Sequence, residues 1–219
     1  MTFSHKDKVL LEKQYGLSGI YVLNPYFGIE DGMIEEPKYQ EKERNTLCFL
    51  GQMGREENAS AAMSLIRLGE QLKNAGYLVN IYIVGNNPPP ELRRLESDTV
   101  YITGFVEDVD EYVLMSGIAV FPLTLGAGIK LKVLRSLALG TPVVTTNIGA
   151  EGIDEEGNIL LLAKTELEFV QTIIDIINMG EKEYCELCRN GQEYAKTHFG
   201  WERSERVLMR LYESEKIGV

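Results

Sequence analysis

Two glycines, two lysines and an arginine fall between positions 126 and 135, in the stretch "LGAGIKLKVLR". Gly126 and Gly128 lack a Cβ, so a ligand can approach the backbone there and positive φ costs little. The residues that follow read as a helix, whose first N–H groups have no internal partner and carry the positive end of its dipole. Lys130 adds a full positive charge in that first turn, where an isolated helix disfavours it. Backbone donors, dipole and ammonium together describe a phosphate seat. The same pattern also describes a tight turn with solvated lysines. Arg135, a turn deeper, reads either as further positive charge for phosphate or as a solvated residue on the helix flank.

Other chemistries find less support. The turn lacks the third glycine of a dinucleotide fingerprint, and no Gly-Lys-Ser/Thr follows it. "CELC" (185–188) sits in a polar helical stretch without a second cysteine pair, whereas structural zinc takes four ligands. His5 and His198 are the only histidines and have no evident partners for a triad or metal site. A net charge of −11 argues against a general nucleic-acid binder. No apolar run reaches the roughly 18 residues of a membrane span, and the start lacks a signal-peptide core. An odd count of three cysteines fits a reducing compartment, so a cytoplasmic location is expected.

The turn must be positioned by the elements around it. From Leu47 onward, apolar strands alternate with helices: "LCFLG" (47–51), "LVNIYIVG" (78–85), "TVYITG" (99–104), "IAVFP" (118–122), "TPVVTT" (141–146) and "NILLLA" (158–163). Asn58 reads as the N-cap of the first long helix and Gly76 as its stop. Thr165 with Glu168 makes a capping box. This alternation predicts an α/β protein, a Rossmann-like and mostly parallel sheet of about six strands with helices on both faces. Ligands in such sheets bind beyond the carboxyl ends of the strands. The segments after the strands are therefore the ones to inspect: 51–55, 85–90, 104–107, 123–130 and 147–153. Before them, "SHKDKVLLEKQYG" reads as a helix, "GIYVLNP" as a short strand and 26–45 as an acidic linker. The expected organisation is 1–46 as a remnant of a preceding domain plus hinge, 47–200 as the Rossmann-like domain and 201–219 as a C-terminal crossover helix.

The blocks "FLGQMGREEN", "IVGNNPPPEL", the long run from "VYITGFVEDVDEY" to "TTNIGAEGI", and "HFGWERS" occur in one order over about 47 to 215. This series resembles the C-terminal, donor-binding half of retaining GT-B glycosyltransferases of group 1, or family 4. The resemblance implies a nucleotide-sugar donor, with the backbone at Gly104, Phe105 and Val106 taking the base. It places Gly126, Ala127, Gly128, Ile129, Lys130 and Leu131 beside diphosphate and sugar, with Gly51, Gln52, Arg55 and Gly85 at the neighbouring strand ends. It implies no metal or other cofactor, no covalent nucleophile and no assigned catalytic residue. The acceptor, a glycan or a lipid-linked one, would bind a missing N-terminal domain, with peripheral membrane contact in the full-length protein. Surface-polysaccharide synthesis is the expected role, and the isolated chain is expected to be inactive. Two departures mark the chain. Where many members carry two glutamates eight apart, Ala127 and Arg135 stand here; where an arginine is usual after the first strand stands Gln52, with Arg55 nearby. Glu151 in "GAEG" offers a carboxylate from the adjacent loop, or is a surface turn residue. The alternatives are a degenerate domain that binds a nucleotide sugar or a partner without catalysis, and a GT-B sugar-nucleotide epimerase.

Overall fold

The computed structural model describes residues 1–24, 39–154 and 157–216. Six strands form one parallel sheet: β1 (Glu43–Leu50), β2 (Asn80–Val84), β3 (Val100–Gly104), β4 (Ser116–Phe121), β5 (Val143–Thr145) and β6 (Leu161–Leu162). Their order is β3-β2-β1-β4-β5-β6. The chain winds outward from β1 in one direction, returns, and winds outward from β4 in the other. The sheet therefore has its topological switch between β1 and β4, where their carboxyl ends diverge.

The two central strands are apolar because both their faces are covered. Every residue of β4 is buried, and Leu47, Cys48 and Phe49 of β1 have no exposed surface. Burying a phenylalanine such as Phe49 or Phe121 is worth about 1.5–3 kcal/mol over leaving it in water. On one face lie α2 (Glu56–Asn74) and α7 (Glu166–Asn178). Helix α2 buries Ala61, Leu65, Leu68 and Leu72, a stripe at helical spacing. On the other face lie α4 (Asp110–Met115), α5 (Leu131–Ala138) and α8 (Glu181–Phe199). Gly191 lets α8 approach α5 closely, since a Cβ there would lie 3.0 Å from Leu137. Helices α1 (His5–Tyr15), α3 (Pro90–Arg93), α6 (Asn147–Ala150) and α9 (Trp201–Lys216), with a short 3-10 turn at Tyr39–Glu41, complete the described elements.

Several local expectations change. Asn58 is not the N-cap of α2: Arg55 holds that position, without a side-chain cap bond, and Asn58 lies inside the first turn. Its amide has other work, described below. Gly76 follows the end of α2 at φ +90°, as a stop requires. Thr165 caps α7 by accepting from the Glu168 N–H at 3.2 Å, while Glu168 bonds the Lys164 N–H. Within the expected strand "GIYVLNP", the described residues 19–24 form only an isolated bridge, Val22 to Thr2. Of the stretch read as linker, 26–45, residues 26–38 lie outside the described residues. Beyond it β1 opens at Glu43, earlier than its apolar run suggests, because Thr46 is buried and Glu43 pairs with Ser116. Within that stretch Lys42 is buried at the amino end of the sheet. Its Nζ donates to the carbonyls of Val113 (3.3 Å) and Leu114 (2.8 Å) and to Thr141 Oγ1 (2.7 Å), closing the end of α4. Burial lowers its pKa to about 8. Cys185 and Cys188 are buried free thiols on α8, as is Cys48 on β1. His198 stacks on Tyr194, with ring centroids 4.1 Å apart, and its Nδ1 meets the Tyr194 carbonyl at 3.0 Å.

Candidate functional site

The carboxyl ends of β1 and β4 frame a cavity of about 330 Å³. One wall is Gly51, Arg55 and Asn58 from the β1–α2 turn; the other is Gly126, Ala127, Ile129, Lys130 and Leu131 from the β4–α5 turn. The fold thus gathers seven of the residues singled out in the sequence, from two distant segments: Gly51, Arg55, Gly126, Ala127, Ile129, Lys130 and Leu131. The strand ends are fixed by close backbone approach. Gly85, at φ +145°, has no room for a side chain, since a Cβ would lie 1.7 Å from the Gly51 carbonyl oxygen. Gly104 bridges Gly85 from the next strand. So Gly85 and Gly104, together with the exposed Phe105 and half-buried Val106, stand at the ends of β2 and β3 rather than in the cavity wall.

Lys132 also lines this cavity, and sequence reasoning did not single it out as a site residue. Its Nζ donates to Asn58 Oδ1 at 2.6 Å and lies over the Phe49 ring, 4.4 Å from the centroid, and near Phe121 at 5.6 Å. Asn58 in turn donates from Nδ2 to the Gln52 carbonyl at 3.0 Å. Helix α2 thereby holds an ammonium at the floor of the crevice. Burial lowers the Lys132 pKa to about 8; Glu57 opposes this, and Lys130 and Arg55 reinforce it. The signal available in the sequence was the pair of lysines two apart at the helix opening, which cannot both face solvent.

The other predicted residues take particular places. Lys130 is half-buried and its Nζ donates to the Gly128 carbonyl at 2.6 Å, with its pKa lowered chiefly by burial. Gly126 and Gly128 adopt φ of +127° and +72°, so the turn needs them. Glu151 is not a free surface residue: its Oε2 accepts from the Gly128 N–H at 3.1 Å and its Oε1 pairs with Lys6 of α1. Those contacts, the Lys6 bond first, hold its carboxyl below the usual range. Arg135 faces away from the turn, its guanidinium engaged by both carboxylate oxygens of Asp110, with Nη2 to Oδ2 at 2.8 Å. That bond is the main reason its pKa is raised. Arg55 pairs with Glu57 at 2.8 Å on the rim. The side chain of Gln52 is exposed. Among the described residues no three His, Cys, Asp or Glu side chains gather as metal ligands would, and no helix is long and apolar enough to cross a membrane.

A parallel sheet with order 3-2-1-4-5-6, with its switch between the two central strands, defines a Rossmann-like α/β domain. Residues 44–179 match the family described as "Glycosyl transferases group 1", and the chain belongs to that family. Its fold is that of a GT-B glycosyltransferase domain. Among solved structures it is similar to S. aureus TarM in complex with UDP (13% identity, TM-score 0.75, covering 97% of this chain and 42% of that one). It is also similar to the pneumococcal O-GlcNAc transferase GtfA in complex with UDP and GlcNAc (13%, 0.69, 97% and 44%). A third is WaaG, a glycosyltransferase involved in lipopolysaccharide biosynthesis (17%, 0.67, 94% and 60%). The chain thus spans between 42% and 60% of the length of these proteins. A comparison with curated protein sequences finds no match.

Proposed function

We propose that this chain is the nucleotide-sugar-binding domain of a retaining glycosyltransferase, which moves a sugar from a nucleoside-diphosphate donor to a glycan or lipid-linked acceptor. The observation that carries the reading is Lys132, an ammonium held by Asn58 at the floor of the switch-point crevice. A half-buried charge is costly to desolvate unless it is matched. An incoming phosphate matches it, and Lys130 with the N-terminal N–H groups of α5 stands beside it to complete the seat. Base recognition falls to the ends of β2 and β3, where Phe105 is exposed next to Gly104. Two of the solved neighbours are described with UDP, which supports a uridine nucleotide as the first donor to try. Surface-polysaccharide synthesis is the proposed setting. A second reading is favoured by one observation: Ala127 offers no carboxylate and Arg135 is engaged by Asp110, so the domain would bind donor without transferring it.

Titration calorimetry with UDP, GDP and uridine tests the proposal. Diphosphates should bind and uridine should bind much more weakly, because the added contacts are to phosphate. Equal affinities for uridine and UDP would remove the phosphate seat. Sugar transfer should require a second, acceptor-binding body, since positioning supplies much of the catalysis. Transfer by the 219-residue chain alone would overturn that part.

A further inference from the structure

The glycine turn already carries a carboxylate belonging to the chain itself. Glu151 follows α6, and its Oε2 lies 3.1 Å from the Gly128 nitrogen and 3.9 Å from Lys130 Nζ. Both side chains are largely withdrawn from water, 17% exposed for Glu151 and 13% for Lys130. The other carboxylate oxygen pairs with Lys6, so α1 is tied to the same group. Close by, Ser4 is buried and packs toward Gly152, which fixes the start of α1 beside the turn. A second cavity of about 430 Å³, bounded by Lys6, Asn147, Glu151 and Leu162, shares Gly126 with the crevice. It offers space for the Glu151 side chain to swing away from Gly128.

We propose that Glu151 is a built-in competitor for the anion seat at the turn, and that a phosphate arriving at Gly128 and Lys130 displaces it and breaks its pair with Lys6. This rests on the diphosphate reading above. A carboxylate and a phosphate cannot share one N–H and one ammonium, because like charges at that distance repel strongly. The anion that stays must outbid the other for the same donors. Glu151 therefore lowers the affinity for diphosphate and makes occupancy of the crevice felt at α1, whose Lys6 is 145 residues from Glu151 in sequence but in direct contact with it. It acts on the affinity of the site through the donors it occupies, without touching the ligand.

The test compares wild type, Glu151→Gln and Glu151→Ala by UDP and uridine titration, with amide hydrogen exchange over residues 5–15. Gln keeps the size and the acceptor for Gly128 but loses the charge; Ala removes both. Both variants should bind UDP more tightly, on the order of tenfold, with uridine unchanged. Residues 5–15 should exchange faster in wild type when UDP is added, and already faster in both variants without ligand. If wild type binds UDP and both variants bind it equally or more weakly, Glu151 braces the turn instead, and the inference falls while the functional reading stands. If folded wild type and variants all fail to bind UDP, the functional reading fails and takes the inference with it. Exchange of residues 5–15 that ignores both UDP and the variants would overturn the link to α1.

Discussion

Lys132 Nζ stands 2.6 Å from Asn58 Oδ1, joining the first turn of α5 to the first turn of α2 across the crevice. The ammonium also lies on the Phe49 ring, so its direct contacts are an aromatic face and an amide, with the charges of Glu57, Lys130 and Arg55 acting on it from the same cavity. Such a site is costly for folding and favourable for an anion. Lys132→Met should leave stability within about 1 kcal/mol of wild type, on the stabilising side, because the desolvated charge is gone. The same change should weaken UDP binding by about 1.5–3 kcal/mol, the range for a lost charge-assisted hydrogen bond. Urea unfolding and calorimetry on the one variant read both effects. A Lys132→Met protein that binds UDP as wild type does would place the phosphate elsewhere.

The two buried-side lysines also predict a pH dependence. Lys132 and Lys42 both have folded pKa values of about 8, against an ordinary 10.5. Below pH 8 both are protonated folded and unfolded, and the burial cost is fully present. Between pH 8 and 10.5 the unfolded chain holds more protons than the folded one, so stability rises with pH. The buried thiols act oppositely: Cys48 and Cys188 are raised from 9 to about 11, which lowers stability above pH 9. The clear window is therefore pH 8 to 9, with a gain on the order of 1 kcal/mol from each lysine. Urea midpoints at pH 7.5 and 9 should show the rise, and Lys132→Met should remove part of it. Over the same window UDP affinity should fall, as the free ammonium loses its proton. A flat stability profile would mean that both lysines titrate normally.

Arg135 supplies a prediction that differs from the one its sequence position suggests. As a solvated flank residue it would accept a change to glutamate freely. In the fold it is held by Asp110, with Asp108 adding to the field, so Arg135→Glu sets three carboxylates together. The pair is partly exposed, at 38% and 22% of the side chains, so screening keeps the cost near about 1 kcal/mol. Asp110→Arg with Arg135→Glu should recover most of it, and a double-mutant cycle reads the coupling. UDP affinity should not change in any of the three proteins. Loss of UDP binding in Arg135→Glu without loss of stability would return Arg135 to the phosphate site.

What the sequence conveyed depended on range. The strands were legible because Leu47 to Leu50 and Ile118 to Phe121 are apolar throughout, which only a doubly covered sheet explains. The turn was legible because Gly126 and Gly128 precede a lysine within one short stretch. Side-chain partners were not. Asn58 looked like a cap because its neighbours fit the cap pattern, yet its amide spans to Gln52 and Lys132. Arg135 and Asp110 are 25 residues apart, and Glu151 and Lys6 are 145 apart. Nothing in local periodicity encodes such meetings; strand order does. Lys42 was hidden by its charged neighbours, and only the carbonyls of Val113 and Leu114 explain its burial.

Two glycines, one at the end of β2 and one in the β4–α5 turn, separate folding from binding. At Gly85 a Cβ would lie 1.7 Å from the Gly51 carbonyl oxygen, and φ is +145°. Neither backbone can yield without breaking the β1–β2 register, so Gly85→Ala should cost about 3 kcal/mol or more. At Gly128 φ is +72° but a Cβ would meet nothing within 4 Å. Gly128→Ala then carries only left-handed strain, roughly 1–2 kcal/mol, and should fold. If phosphate is bound by the bare backbone of the turn, the added methyl group hinders its close approach, so UDP binding should fall by tenfold or more while uridine binding is unchanged. Urea unfolding ranks the two variants, and calorimetry on Gly128→Ala reads the ligand. If Gly128→Ala kept full UDP affinity, the glycine would serve the backbone conformation of the turn alone, and phosphate would have to be held by Lys132 and Lys130 without it.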